Sequence, residues 1–357
     1  MRIIAKVFYS WLSMVNKKFT YPQTFPLESG QSLPGFELSY ATLGNLNEDK
    51  SNVVWVCHAF TGHPDVSLWW NGLFGPGRFF DPEKYFIICA NMLGSCYGST
   101  GPLSINPETN EPWYLDFPLL TNRDMVRSFD LLRKDLGLEK VHILIGGSMG
   151  GQHVLEWAIQ QADVFEYIMP IATNAVHSPW GIAFNETQRM AIEADRSWGE
   201  RQQEAGLAGM KAARAAAMLS YRSYEGYEVR QKNLPPFGID NFRASSYQQY
   251  MGEKLAKRFN AFTYWYLSKA MDSQNLARGR VSLEAALGQI QAKTLTVAID
   301  SDILFPPAEQ KFIAKHIPHA EYVSVSSLFG HDGFLVENEA FVDIFRKFLA
   351  KEQSILN

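Results

Sequence analysis

Short, unbroken apolar runs punctuate the first half of the chain. Residues 53–57, 85–89, 141–145 and 167–171 each read as a buried strand. Both alternating sets of side chains are apolar, so both faces are expected to be covered, as in a parallel sheet. Residues 121–136 instead carry apolar side chains at helical spacing (Met125, Phe129, Leu132, Leu136) and stop at Gly137, which suits a C-cap. From Phe36 to about Ala172 strand and helix alternate, which predicts an α/β sheet.

The pattern changes after Pro179. Residues 180–289 are rich in Ala, Met, Arg, Gln and Tyr and contain few strand-like runs. The alanine-rich stretch 207–221 predicts a helix by propensity alone. Pro235, Pro236 and Gly238 mark a loop, and residues 247–271 read as one further helix. Strand patterns return at 294–299 and 321–325, followed by a last helix at 337–349. The economical organisation is one α/β core, residues 1–179 and 290–357, interrupted by a helical insertion at 180–289. No internal repeat or low-complexity tract appears.

Bulk composition narrows the function classes. With 357 residues, 46% hydrophobic and 20% charged, the chain can bury a core of good size. A formal net charge of -4 gives no electrostatic case for nucleic acid, and the basic residues are too scattered for a membrane patch. No run is long and apolar enough to span a bilayer. Residues 3–15 are moderately apolar, but Lys6 and Ser10 interrupt them and no small-residue cleavage site follows, which argues against a secretory signal. The three cysteines (Cys57, Cys89, Cys96) fit neither a disulfide framework nor a zinc cage. A cytoplasmic enzyme without metal is the expectation.

The chemistry centres on Gly146-Gly147-Ser148-Met149-Gly150-Gly151, between a predicted strand and a predicted helix. A G-x-S-x-G in that setting resembles the nucleophile elbow of α/β-hydrolases. The turn is too tight for side chains at Gly146 and Gly150, and the following helix N-terminus favours developing negative charge. A dinucleotide-binding loop would want its glycines after the first strand instead. Serine needs a base, and the base needs an orienting acid, in the chain order Ser, acid, His. Of eight histidines only His316, His319 and His331 follow the insertion, and His331 lies in a loop between the last strand and last helix. Asp300 and Asp302 both follow the 294–299 strand; Asp302, deeper in the loop, is the expected acid, although both also suit loop capping. The oxyanion hole is expected from the amides of Met149 and Phe60, the latter in the loop after the 53–57 strand. His58 and His63 lack a carboxylate–histidine cluster and do not read as metal ligands.

Longer motifs carry a more specific resemblance. Asn91-Met92-Leu93-Gly94-Ser95-Cys96-Tyr97-Gly98-Ser99-Thr100-Gly101-Pro102 is similar to the N-x-L-G-x-C-x-G-S-T-G-P signature of homoserine O-acetyltransferases. Asp116-Phe117-Pro118, Arg123-Asp124-Met125-Val126, Gln188-Arg189-Met190, residues 247–272, Asp302 to Pro306 and Gly330 to Leu335 extend it. It runs from about Leu33 to Phe348. The resemblance implies an α/β-hydrolase fold with a helical lid and a ping-pong acyl transfer in methionine biosynthesis. In that reaction Ser148 takes acetyl from acetyl-CoA and passes it to the γ-hydroxyl of L-homoserine, with His331 as base in both halves. It also implies a homodimer, with Arg189 and Asp332 holding the carboxylate and ammonium of the amino acid. A solvated lid position for Arg189 and a loop-orienting role for Asp332 are the alternatives. Gln152 stands where many members carry methionine, and Thr61-Gly62-His63-Pro64-Asp65 departs from the common T-G-D continuation. Related enzymes use succinyl-CoA or acylate serine, and a simple esterase would share the triad.

Overall fold

The computed structural model describes residues 14–235 and 238–355. Most of the apolar N-terminal segment, with the signal question attached to it, and Pro236 lie outside them. Eight strands form one sheet: β1 (Val15–Tyr21), β2 (Phe36–Leu43), β3 (Val53–Cys57), β4 (Phe86–Ala90), β5 (Val141–Gly147), β6 (Phe165–Ile171), β7 (Lys293–Ile299) and β8 (Ala320–Val325). Their spatial order is β1-β2-β4-β3-β5-β6-β7-β8. Every pair from β4 onward is parallel, while β1 and β2 form an antiparallel edge.

Both faces of the sheet are covered, which is why its strands lack alternation. All five residues of β3 are buried. Trp55 packs on one side, edge-on to Trp157 with ring centroids 5.0 Å apart. Val54 and Val56 belong to the opposite layer, with Trp70, Phe341 and Phe345. The helices that pack on these faces include α1 (Asn122–Asp135), α2 (Met149–Gln160) and, after the insertion described below, the C-terminal helix Asn338–Ile355. Helix α1 starts on a capping box: Thr121 Oγ1 accepts the Asp124 amide, and Asp124 Oδ2 accepts the Thr121 amide at 3.0 Å. It ends at Gly137, whose φ of 62° is the left-handed stop that a glycine adopts without strain.

Between β6 and β7 the named elements among the described residues are all helices: α3 (Pro179–Glu193), α4 (Leu207–Tyr221), α5 (Tyr224–Gln231), α6 (Arg243–Ala256), α7 (Ala261–Asp272) and α8 (Leu283–Leu287). Local capping sets several starts, since Ser178, Ser223, Asn260 and Ser282 each accept an amide from the first turn. The single helix expected over 247–271 is two. Asn260 takes the extended backbone of an N-cap and its Oδ1 accepts the Thr263 amide at 2.8 Å, so α6 ends and α7 restarts. After β7 come α9 (Pro307–His316), β8 and α10, the Asn338–Ile355 helix.

Candidate active site

The elbow is built from close approaches of backbone. Strand β5 ends at Gly147 and α2 begins at Met149, which leaves Ser148 at the turn with φ 59° and ψ -127°. That conformation is strained for a residue with a side chain and lifts it out of the sheet. A Cβ on Gly146 would lie 2.6 Å from the Gly150 backbone, and one on Gly150 would lie 2.1 Å from the Cys57 carbonyl oxygen. Backbone cannot yield as a side-chain tip can. Gly150→Ala is therefore expected to cost about 3 kcal/mol or more of stability. Thermal unfolding checks this, and an unchanged midpoint would mean the elbow relaxes freely.

Three distant segments converge on Ser148. Its Oγ lies 2.8 Å from His331 Nε2, and His331 Nδ1 lies 2.6 Å from Asp302 Oδ2. The other Asp302 oxygen accepts the Leu304 and Phe305 amides at 2.8 and 2.9 Å, which aims the carboxylate at the ring. Phe305 stacks on the imidazole at 5.0 Å. Asp300 turns away, accepting the Ser327 amide at 3.0 Å. All three members of the line are buried. Burial alone would depress the His331 pKa. The charge and hydrogen bond of Asp302, with Asp332 nearby, outweigh it and leave the imidazole above its ordinary 6.5.

The loop after β3 abuts the elbow, where a Cβ on Gly150 would lie 2.9 Å from the His58 carbonyl oxygen. Among the described residues, the Phe60 and Met149 amides have no protein hydrogen-bond partner. His58 holds this loop: its Nδ1–H donates to the Ala59 carbonyl at 2.9 Å and its Nε2 accepts the Met92 amide at 3.1 Å. Burial pushes His58 down to about 4, so it stays neutral and keeps both bonds at ordinary pH. No group of three His, Cys, Asp or Glu among the described residues could hold a metal.

The two residues expected at the amino-acid end are placed differently from each other. Asp332 follows His331 directly, and its Oδ2 pairs with Arg222 at 3.0 Å. Arg189 is buried, and its guanidinium is engaged elsewhere. It bonds Asp272 at 2.6 Å, Glu186 at 2.5 Å and Ser268 at 3.0 Å. No contact among the described residues joins it to Ser148, His331 or Asp332. A substrate carboxylate would have to displace Asp272 to use it. A second cation besides Arg222 stands close to the histidine: Arg214 lies 5.1 Å over the Tyr221 ring, which is itself 5.9 Å from the His331 ring. Its charge also reaches Tyr264, whose ring packs 4.7 Å from Phe60. In the sequence Arg214 does not stand out, because alanine dominates the 207–221 stretch around it. The signal was present, since Arg214 and Tyr221 stand two helical turns apart on one face of α4.

Gln152 also gains a reason. Its Oε1 accepts from Asn122 at 3.0 Å and its Nε2 donates to Asn174 at 2.9 Å, inside a buried amide network that methionine could not complete.

A family profile of the alpha/beta hydrolase fold matches residues 52–338. The homoserine O-acetyltransferase of Cyclobacterium marinum is 50% identical over 337 residues, covering 94% of this chain and 96% of that one. The chain belongs to the homoserine O-acetyltransferase family. The solved homoserine O-acetyltransferase of Bacillus anthracis superposes with a TM-score of 0.86 at 25% identity, covering 94% of this chain and 97% of that one. An acetylester hydrolase from Corynebacterium glutamicum also superposes, at TM-score 0.81 and 26% identity, over 94% of this chain and 95% of that one. The fold of the homoserine O-acetyltransferase family is thus shared with enzymes named as hydrolases. Among the described residues no helix is long and apolar enough to cross a membrane.

Proposed function

We propose that this enzyme transfers the acetyl group of acetyl-CoA to the γ-hydroxyl of L-homoserine by way of an acetyl-Ser148 intermediate. The observation that carries the reading is the hydrogen-bonded line Ser148–His331–Asp302 within a chain so similar to homoserine O-acetyltransferases over nearly its whole length. His331 Nε2 takes the Ser148 proton as Oγ attacks the thioester carbonyl. The Phe60 and Met149 amides receive the oxyanion, each worth on the order of 3 kcal/mol. Collapse of the tetrahedral intermediate expels CoA as the thiol, protonated by His331. In the second half His331 takes the proton of the homoserine hydroxyl, which attacks the acyl carbon, and Ser148 leaves with that proton restored.

An amino-acid zwitterion needs a cation and an anion at its two ends. Asp332 supplies the anion. For the carboxylate we assign Arg214 in place of Arg189, because Arg214 has no carboxylate partner among the described residues and its Nε is buried without a hydrogen bond. Residues 180–289 act as the lid, its helices α4 and α7 bringing Tyr221 and Tyr264 over the reacting groups. The enzyme works as a cytoplasmic homodimer without a bound cofactor.

Two linked measurements test the reading. Acetyl-CoA alone is expected to add one acetyl mass to Ser148, and double-reciprocal plots against the two substrates are expected to be parallel. Arg214→Ala is expected to leave that acylation nearly unchanged while raising the KM for homoserine about a hundredfold, the loss of one charge-assisted pair. Intersecting plots with no adduct would point to direct transfer. Loss of acetyl to water at the same rate with and without homoserine would make the chain an esterase.

A further inference from the structure

We propose that the cleft between α5 and α6 binds the phosphates at the nucleotide end of the acyl donor. This rests on the acetyl-CoA reading above and adds to it a site for the part of the donor that does not react. The cleft has a volume of about 290 Å³ and is lined by Arg222, Arg230, Arg243, Tyr227, Tyr247 and Phe329.

Its charge is poorly matched by the protein itself. Arg222 pairs with Asp332, yet its Nε is buried with no hydrogen-bond partner. Among the described residues neither Arg230 nor Arg243 has a carboxylate partner; Arg243 donates to the Lys232 carbonyl at 3.2 Å. The acidic residues of α5, Glu225 and Glu228, fall on the face of that helix turned from the cleft by its 100° step, whereas Gly226, Arg230 and Tyr227 share the cleft face. Arg222 and Arg230 both lie over the Phe329 ring, 5.6 and 5.5 Å from its centre. That contact holds the guanidinium planes without consuming their donors. Three planar forks around one space suit phosphate oxygens, which accept bidentate bonds, better than a single carboxylate. The Tyr227 and Tyr247 rings, 5.9 Å apart, add aromatic surface for a purine.

The position also fits. Ser223 Oγ donates to the Leu328 carbonyl at 2.6 Å. A Cβ on Gly330, at φ 59°, would lie 2.8 Å from the backbone of Arg222 and Ser223. The wall of the cleft is thus pinned to the loop that carries His331. A donor whose thioester reaches Ser148 has a long pantetheine arm, and its phosphates must rest outside that loop.

Arg230 and Arg243 are exposed, so Arg230→Gln/Arg243→Gln leaves the fold intact. Two donors separate the nucleotide from the thioester: acetyl-CoA and S-acetylpantetheine, which lacks all the phosphates. The double variant is expected to raise the KM for acetyl-CoA about tenfold or more, with kcat and the KM for S-acetylpantetheine unchanged. Adenosine 3′,5′-bisphosphate is expected to compete with acetyl-CoA in the wild type and to lose this effect in the variant. An unchanged KM for acetyl-CoA, or an equal rise for both donors, overturns the assignment. So does competition by inorganic phosphate as strong as that by the bisphosphate, which would mark a general anion site. A wild type acylated by neither donor would fail at the proposed function itself, and the cleft assignment would fall with it.

Discussion

Replacing Ser148 by alanine is expected to leave a folded protein whose turnover has fallen by roughly 10^4 or more, in line with serine triads. The Oγ is all that the change removes. Its one hydrogen bond, to His331 Nε2, goes with it, while the backbone that strains the turn is held by other atoms. The Ser148 amide donates to the Ile171 carbonyl at 2.9 Å, and its own carbonyl accepts from Thr173 Oγ1 at 2.8 Å. Circular dichroism should therefore match the wild type. Thiol release from acetyl-CoA should be nearly absent, and so should the acetyl adduct. A folded variant that keeps more than a tenth of the activity would remove Ser148 from the mechanism.

Much of the architecture could be read from pattern, because the parallel strands are buried on both faces and so appear as unbroken apolar runs. The edge could not. Strand β1 reads Val-Asn-Lys-Lys-Phe-Thr-Tyr and is exposed at its first four positions, so nothing apolar announces it. Its pairing with β2 over seven residues makes it a strand. The break between α6 and α7 was equally hidden, since an asparagine inside a helical pattern announces a cap only when the backbone before it is extended.

The site divides in the same way. Convergence of Ser148, Asp302 and His331 was legible from strand ends and chain order, because this topology delivers successive strand ends to one edge of the sheet. The surroundings of the lid arginines were not. Motif matching finds Arg189 but cannot see that Asp272, 83 positions later, consumes its charge. Nor can it see that Arg214 lies over Tyr221 beside the histidine. Partnership across helices decides which arginine is available, and partnership is a property of the folded chain.

Asp302→Asn is expected to lower turnover by about 10^4, close to the loss from removing the nucleophile itself. The amide keeps the shape of the carboxylate and can still accept the Leu304 and Phe305 amides through its oxygen. That leaves its NH2 group facing His331 Nδ1, which now must accept instead of donate. The imidazole is driven to the tautomer with a proton on Nε2, and that nitrogen can no longer take one from Ser148. A second readout separates this from simple misfolding. The base acts only when neutral, so activity is lost as pH falls through its pKa, and the carboxylate is what raises that pKa above 6.5. Without it, the acid limb of residual kcat/KM should move to lower pH. Asp300→Asn serves as the comparison, because Asp300 Oδ1 accepts the Ser327 amide and an asparagine oxygen does the same. It should keep most of the acylation burst and the wild-type acid limb. If Asp300→Asn abolishes the burst while Asp302→Asn spares it, the acid has been assigned to the wrong residue.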